Sequence, residues 1–152
     1  MFHLSVRLHS TPQRAFELFT SSELVLAWLV KPYSPSGRAI IDAAVGGRYE
    51  LFWDPDSPQR DSTIGCKITA LEPGKFLSFE WKGPTQFSQF MNNADPLTQV
   101  TVFFIPTDRE TTEVHLIHTG WKSSSAWDEA RKYFEEAWSS AFAKLRDMAN
   151  KS

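Results

Sequence analysis

One cysteine, Cys66, is the whole thiol content of this 152-residue chain. That excludes an intramolecular disulfide, and with it the stapled framework of small secreted domains, and it fits a reducing compartment. No apolar run approaches the roughly 20 residues that span a bilayer. The opening "MFHLSVRLHS" alternates instead of running apolar, so no secretory signal and no membrane insertion are expected. The formal net charge is −2 and the basic side chains are scattered, which excludes the dense positive surface that holds nucleic acid. Internal repeats, low-complexity tracts, G-x-S-x-G, the P-loop and the dinucleotide fingerprint are all missing. No histidine pair has the spacing of a metal motif such as H-E-x-x-H, so neither a metal nor a cofactor is expected. The expectation is a soluble, cytoplasmic chain whose residues 1–152 form one domain, long enough to bury a core without staples.

What the chain does have is aromatic bulk: twelve Phe, six Trp and three Tyr. Such rings fill large cores and also line apolar ligand pockets. Phe2, Leu4, Val6 and Leu8 alternate with polar residues, the pattern of a half-buried strand. In "STPQRAFELFTSSELVLAWL", Thr11 precedes Pro12 at a first helical position. Ser21 or Ser22 can cap a second short helix that ends near Trp28, before Pro32 and Pro35 break the chain. Strands are expected at 39–43, 48–53, 62–71, 76–82, 98–106 and 112–119, joined by turn-rich segments as in an antiparallel meander. Trp127, Ala130, Phe134, Trp138, Ala141, Leu145 and Met148 recur at helical spacing, giving a long C-terminal helix with one apolar stripe. Ser125 with Asp128 reads as its capping box.

A sheet of this extent must cover its apolar face, and the C-terminal helix carries the one large stripe available. The fold class is therefore α+β: a curved antiparallel sheet wrapped around a long C-terminal helix, with two short helices after the first strand. Gly46 and Gly47, just before Tyr49, Leu51 and Trp53, supply the special backbone that lets the sheet bend. Asp42 is expected to hydrogen-bond backbone in that turn.

The stretches "TPQRAFELFTSSELVLAWL", "DAAVGGRYELFW", "GCKITALEPGKFLSFEW" and "TQVTVFFIPTDRETTEVHLIHTGW", followed by the final helix, resemble the activator of heat-shock protein 90 ATPase homologue family of the START-like (SRPBCC) superfamily. The most specific piece is Asp42-x-x-x-Gly46-Gly47 before an aromatic strand, and the resemblance runs from about Ser5 to Met148. It implies the helix-grip fold and a central cavity. It leaves function open, because this superfamily hosts lipid carriers, hormone receptors, cyclases and chaperone regulators. The eukaryotic chaperone activators carry a separate N-terminal domain, whereas these residues begin at the first strand of the helix-grip domain.

Strand parity puts Tyr49, Leu51 and Trp53 on one face, and Leu77, Phe79 and Trp81 on another. A bent sheet over one helix is hard to fill at native density, so a residual apolar pocket is expected. Its ligand-binding residues are taken as Trp28, Tyr49, Leu51, Trp53, Phe79, Trp81, Phe104, His118, Phe134 and Trp138. The segment from Gly83 to Leu97 is long for a hairpin, and its Phe87, Phe90 and Met91 form either a lid or partner surface or a small cluster packed on the end of the sheet. His118 is the one polar candidate inside, either hydrogen-bonded in the core or acting on a ligand. Cys66 reads as a small buried hydrophobe. No residue is assigned a catalytic role.

Three functions remain open at this point. The first is a carrier or receptor for a small hydrophobic or amphipathic molecule. The second is a co-chaperone-like module of the stress response, binding a chaperone through its surface. The third is a cyclase- or hydrolase-like enzyme using His118. A homodimer is compatible with aromatics exposed near the long loop.

Overall fold

The computed structural model describes residues 1–151. Strand β1 (Phe2–Leu8) leads into α1 (Pro12–Thr20) and α2 (Ser22–Val25), and a π-helical turn carries α2 on through Leu26–Val30. Thr11 caps α1 by accepting from the Arg14 amide, and Ser21 caps α2 by accepting from the Leu24 amide. Strands β2 (Arg38–Ile41), β3 (Tyr49–Phe52), β4 (Ile68–Glu72) and β5 (Phe76–Trp81) follow, then a one-turn helix α3 (Ser88–Met91) inside the long connection. The chain ends with β6 (Thr98–Pro106), β7 (Thr112–Thr119) and α4 (Ser125–Asn150). Among the described residues no helix is long and apolar enough to cross a membrane.

The strands form two sheets where one continuous meander was expected. Five strands pair antiparallel in the order β1-β7-β6-β5-β4, and β2 pairs with β3 alone. The expected strand over 62–71 accounts for the division. Only Ile68–Glu72 is regular, and residues 62–67 meet β3 through single bridges, Phe52 to Ser62 and Arg48 to Lys67. Thr63 breaks the ladder by inserting its hydroxyl, which accepts from the Leu51 amide and donates to the Tyr49 carbonyl at 2.9 Å each.

The glycine pair sits where the chain enters β3. Gly46 has φ of +82°, which an L side chain rarely adopts, and its amide donates to the Ile68 carbonyl. A Cβ on Gly47 would collide with the Asp42 carbonyl oxygen. The Asp42 carboxylate meets the Arg48 backbone, as expected, and the Arg48 side chain as well. It accepts from Arg48 Nε at 2.7 Å, and that guanidinium holds its carboxyl below the usual carboxylate range.

Helix α4 starts one residue earlier than the expected capping box: Ser124, not Ser125, accepts from the Trp127 amide. Its stripe of Trp127, Ala130, Phe134, Trp138, Ala141 and Leu145 is buried, and it packs against β1 and the π turn. Opposite it, β5 buries Leu77, Phe79 and Trp81, and β6 buries Val100, Val102 and Phe104. Each such side chain removed from water contributes on the order of 1.5–3 kcal/mol. On β6 the alternate residues Phe103 and Ile105 are exposed on the outer face.

Candidate functional site

One end of the core is left unfilled. A cleft of about 380 Å³ opens between the ends of β3 and β5, the π turn and the middle of α4. Trp53, Trp81, Phe134 and Trp138 line it together with Leu29 and Ala137. The rings meet largely edge to face: Trp81 lies 6.2 Å from Trp53 at 75° and 6.2 Å from Phe134 at 87°. Trp81 and Trp138 are closer, with centroids 4.9 Å apart. Tyr33 and Tyr133 are partly exposed and complete the wall.

The opposite rim is polar and is held by the loops. Asp61, with φ of +46°, accepts at Oδ1 from the Thr85 amide and hydroxyl at 2.8 and 3.0 Å. That tie fixes the 54–62 turn against the segment 83–86, which supplies Gly83, Pro84 and Gln86 to the cleft. Lys82 donates through Nζ to the Ile64 carbonyl at 2.6 Å, leaving two ammonium hydrogens for other partners. Burial, with the Asp61 charge adding, raises the Tyr133 phenol above its ordinary value.

Of the residues taken as ligand-binding, the structure brings Trp53, Trp81, Phe134 and Trp138 to the cleft. The other six lie in the packed core and do not line it. Tyr49 stacks on Phe79 and donates its hydroxyl to the Phe19 carbonyl at 2.7 Å. Trp28 donates to the Leu18 carbonyl at 2.7 Å, Leu51 is fully buried, and Phe104 packs on Phe16 and Phe19. His118 is wholly buried beneath Phe2, Trp121 and Phe134, with Nε2 3.0 Å from Thr98 Oγ1. Burial, with the Met1 ammonium adding, pushes its pKa down to about 3, so its imidazole is neutral. The lid residues also fold inward. Phe87 and Met91 are buried, Phe87 packs on Tyr133, and Phe90 packs on Trp127. Cys66 is buried and its thiol is pushed up to about 12 by that burial, so it stays protonated at neutral pH.

Sequence reasoning missed Leu29, Tyr33, Asp61, Lys82, Tyr133 and Ala137 as cleft residues. Ala137 was within reach: it is three residues after Phe134 and one before Trp138, on the same helical face. Asp61 and Tyr33 lie in irregular segments, where no periodicity tells which way a side chain points.

The family described as Activator of Hsp90 ATPase homolog 1-like protein matches residues 9–150. The chain belongs to this family. The fold accords with it. Protein Ms6760 from Mycobacterium smegmatis superposes with a TM-score of 0.73 at 17% identity, covering 99% of this chain and 90% of that one. PFC0360w, an HSP90 activator from Plasmodium falciparum, gives 0.65 at 21%, covering 90% and 86%. CalC from Micromonospora echinospora, a self-sacrificing resistance protein, gives 0.69 at 17%, covering 97% and 92%. At these identities the likeness shows the helix-grip fold alone. No curated protein sequence matches the chain.

Proposed function

We propose that this family member is a binding protein of the cytoplasm, a single domain that takes a small amphipathic molecule into the aromatic cleft. The observation that carries the reading is the unfilled space itself. Tyr49, Phe79 and Phe104 are packed in the core, whereas Trp53, Trp81, Phe134 and Trp138 surround about 380 Å³ that no side chain fills. That volume lies within the ~300–1,000 Å³ range of small-molecule sites, and a mostly apolar wall with a few polar groups is their usual lining. The aromatic wall receives the apolar body, and the few polar groups of the lining meet its polar atoms. The acid–base use of His118 draws no support from its place, because the ring is buried away from the cleft.

The test is a calorimetric titration with a neutral naphthalene probe, 2-acetylnaphthalene, against the native chain and Ala137→Trp, which fills the cleft from α4. The reading expects saturable one-to-one binding by the native chain and at least a tenfold loss in the filled variant. Binding that Ala137→Trp leaves unchanged contradicts it.

Family membership supports a second reading, a co-chaperone-like module that docks on a chaperone of the heat-shock protein 90 type. The loop first taken as the docking surface has Phe87 and Met91 buried, so docking would fall on exposed groups such as Tyr33 and Tyr133 at the cleft mouth. Pull-down of purified heat-shock protein 90 by the native chain, lost in Tyr33→Ser plus Tyr133→Ser, is the expected result. No retention of the chaperone removes this reading.

A further inference from the structure

Three buried side-chain polar atoms have no hydrogen-bond partner among the described residues: Trp81 Nε1, Trp138 Nε1 and His118 Nδ1. Buried donors are rarely left this way, and each instance calls for a physical reason. Three other indoles of this fold have acceptors. Trp28 donates to Leu18 O, Trp53 to Leu29 O and Trp121 to His118 O. The two indoles whose buried N–H lacks an acceptor are neighbours, ring centroids 4.9 Å apart, in the wall of one cleft.

Resting on the cleft reading above, we propose that the molecule bound there carries a neutral carbonyl-type oxygen on a flat apolar body, and that this oxygen accepts from both Trp81 and Trp138. A carbonyl oxygen has two lone pairs and so can take two N–H donors at once. An indole nitrogen is a donor only, so the complementary group must be an acceptor. Neutrality follows from the surroundings. The floor around the pair is Phe134, Trp53 and Leu29, and a carboxylate buried there has neutral donors and no counter-charge. Among the described residues lining the cleft the one ammonium is Lys82, which stands at the polar rim and donates one of its hydrogens to the Ile64 carbonyl. Both indole nitrogens are closed off from solvent in this structure, so the contact requires a small rotation that parts the two rings.

Three compounds of one shape test this: 2-acetylnaphthalene with a neutral oxygen, 2-ethylnaphthalene with none, and 2-naphthoate with a charged one. The proposal expects the native chain to hold the ketone about tenfold more tightly than the hydrocarbon, about 1.4 kcal/mol, and the naphthoate less tightly than the ketone. In Trp81→Phe plus Trp138→Phe, which keeps aromatic rings and removes both donors, the preference falls to within about threefold. Equal affinity of ketone and hydrocarbon overturns the donor-pair proposal and leaves the cleft reading standing, with the indole N–H groups resting on neighbouring ring faces. Tightest binding of the naphthoate overturns the neutral class. Failure of all three compounds to bind contradicts the cleft reading itself. The comparison in the native chain decides without any variant, so poor folding of the double variant does not blunt it.

Discussion

The rings of Tyr49 and Phe79 lie face to face, centroids 3.9 Å apart and 12° from parallel. Tyr49 belongs to the two-stranded sheet and Phe79 to the five-stranded one, so this pair joins the two where the ladder is reduced to single bridges. Phe79 in turn packs on Trp81, with ring centroids 6.0 Å apart, so the pair fills the core beside the cleft. Tyr49→Ala should destabilise the chain by about 3–5 kcal/mol, the usual range for removing a buried aromatic ring. Tyr49→Phe keeps the stack and loses the bond to the Phe19 carbonyl, costing about 1 kcal/mol. Urea melts of both variants check the difference, and similar costs would mean that the stack is not the join.

The adjacent glycines should behave differently from each other. Gly47→Val places a Cβ on the Asp42 carbonyl oxygen and should cost more than about 3 kcal/mol, appearing as a large drop in melting temperature or as failure to fold. Gly46→Ala meets nothing within 4 Å and bears only the strain of φ +82°, about 1–2 kcal/mol. An unchanged melting temperature for Gly47→Val would remove this account of how the chain enters β3.

His118 makes stability depend on pH in a defined direction. Its pKa is about 3 when folded, against 6.5 when free, so between these values the unfolded chain binds the extra proton. Its contribution is therefore complete above pH 6.5 and is lost as pH falls from 6.5 toward 3. The slope is up to about 1.4 kcal/mol per pH unit. His118→Phe keeps a ring in the cluster and removes the titration. Denaturant midpoints from pH 7 to pH 4.5 should fall less steeply in this variant than in the native chain, and parallel slopes would contradict the neutral, buried state of His118.

Much of this fold was legible because it follows from periodicity. The three- and four-residue spacing of Trp127, Ala130, Phe134, Trp138, Ala141 and Leu145 predicted α4 and its buried face, and alternation on β5 predicted Leu77, Phe79 and Trp81 inside. Periodicity tells which face is inward, not whether the space there is filled. Tyr49, Leu51, Phe79 and Phe104 share the inward parity with Trp53 and Trp81, yet only the latter two reach the cleft. The difference arises from the stacking of Tyr49 on a ring thirty positions away, set by the relative placement of two sheets and invisible to local pattern. The loop aromatics show the same limit: Phe87 and Met91 look exposed in a long connection, but a single helical turn folds them under Gly83 and against α4. The division of the sheet was hidden for another reason, since it depends on one hydroxyl, Thr63, taking over ladder bonds.

The most direct test of the cleft is a proton–nitrogen correlation spectrum of the native chain, read at the six tryptophan indole signals during addition of 2-acetylnaphthalene. The account predicts saturable shifts of the Trp53, Trp81 and Trp138 signals, with Trp28, whose N–H is held by the Leu18 carbonyl away from the cleft, staying in place. Shifts confined to Trp28, Trp121 or Trp127, or no shift at any indole at saturating probe, would contradict it.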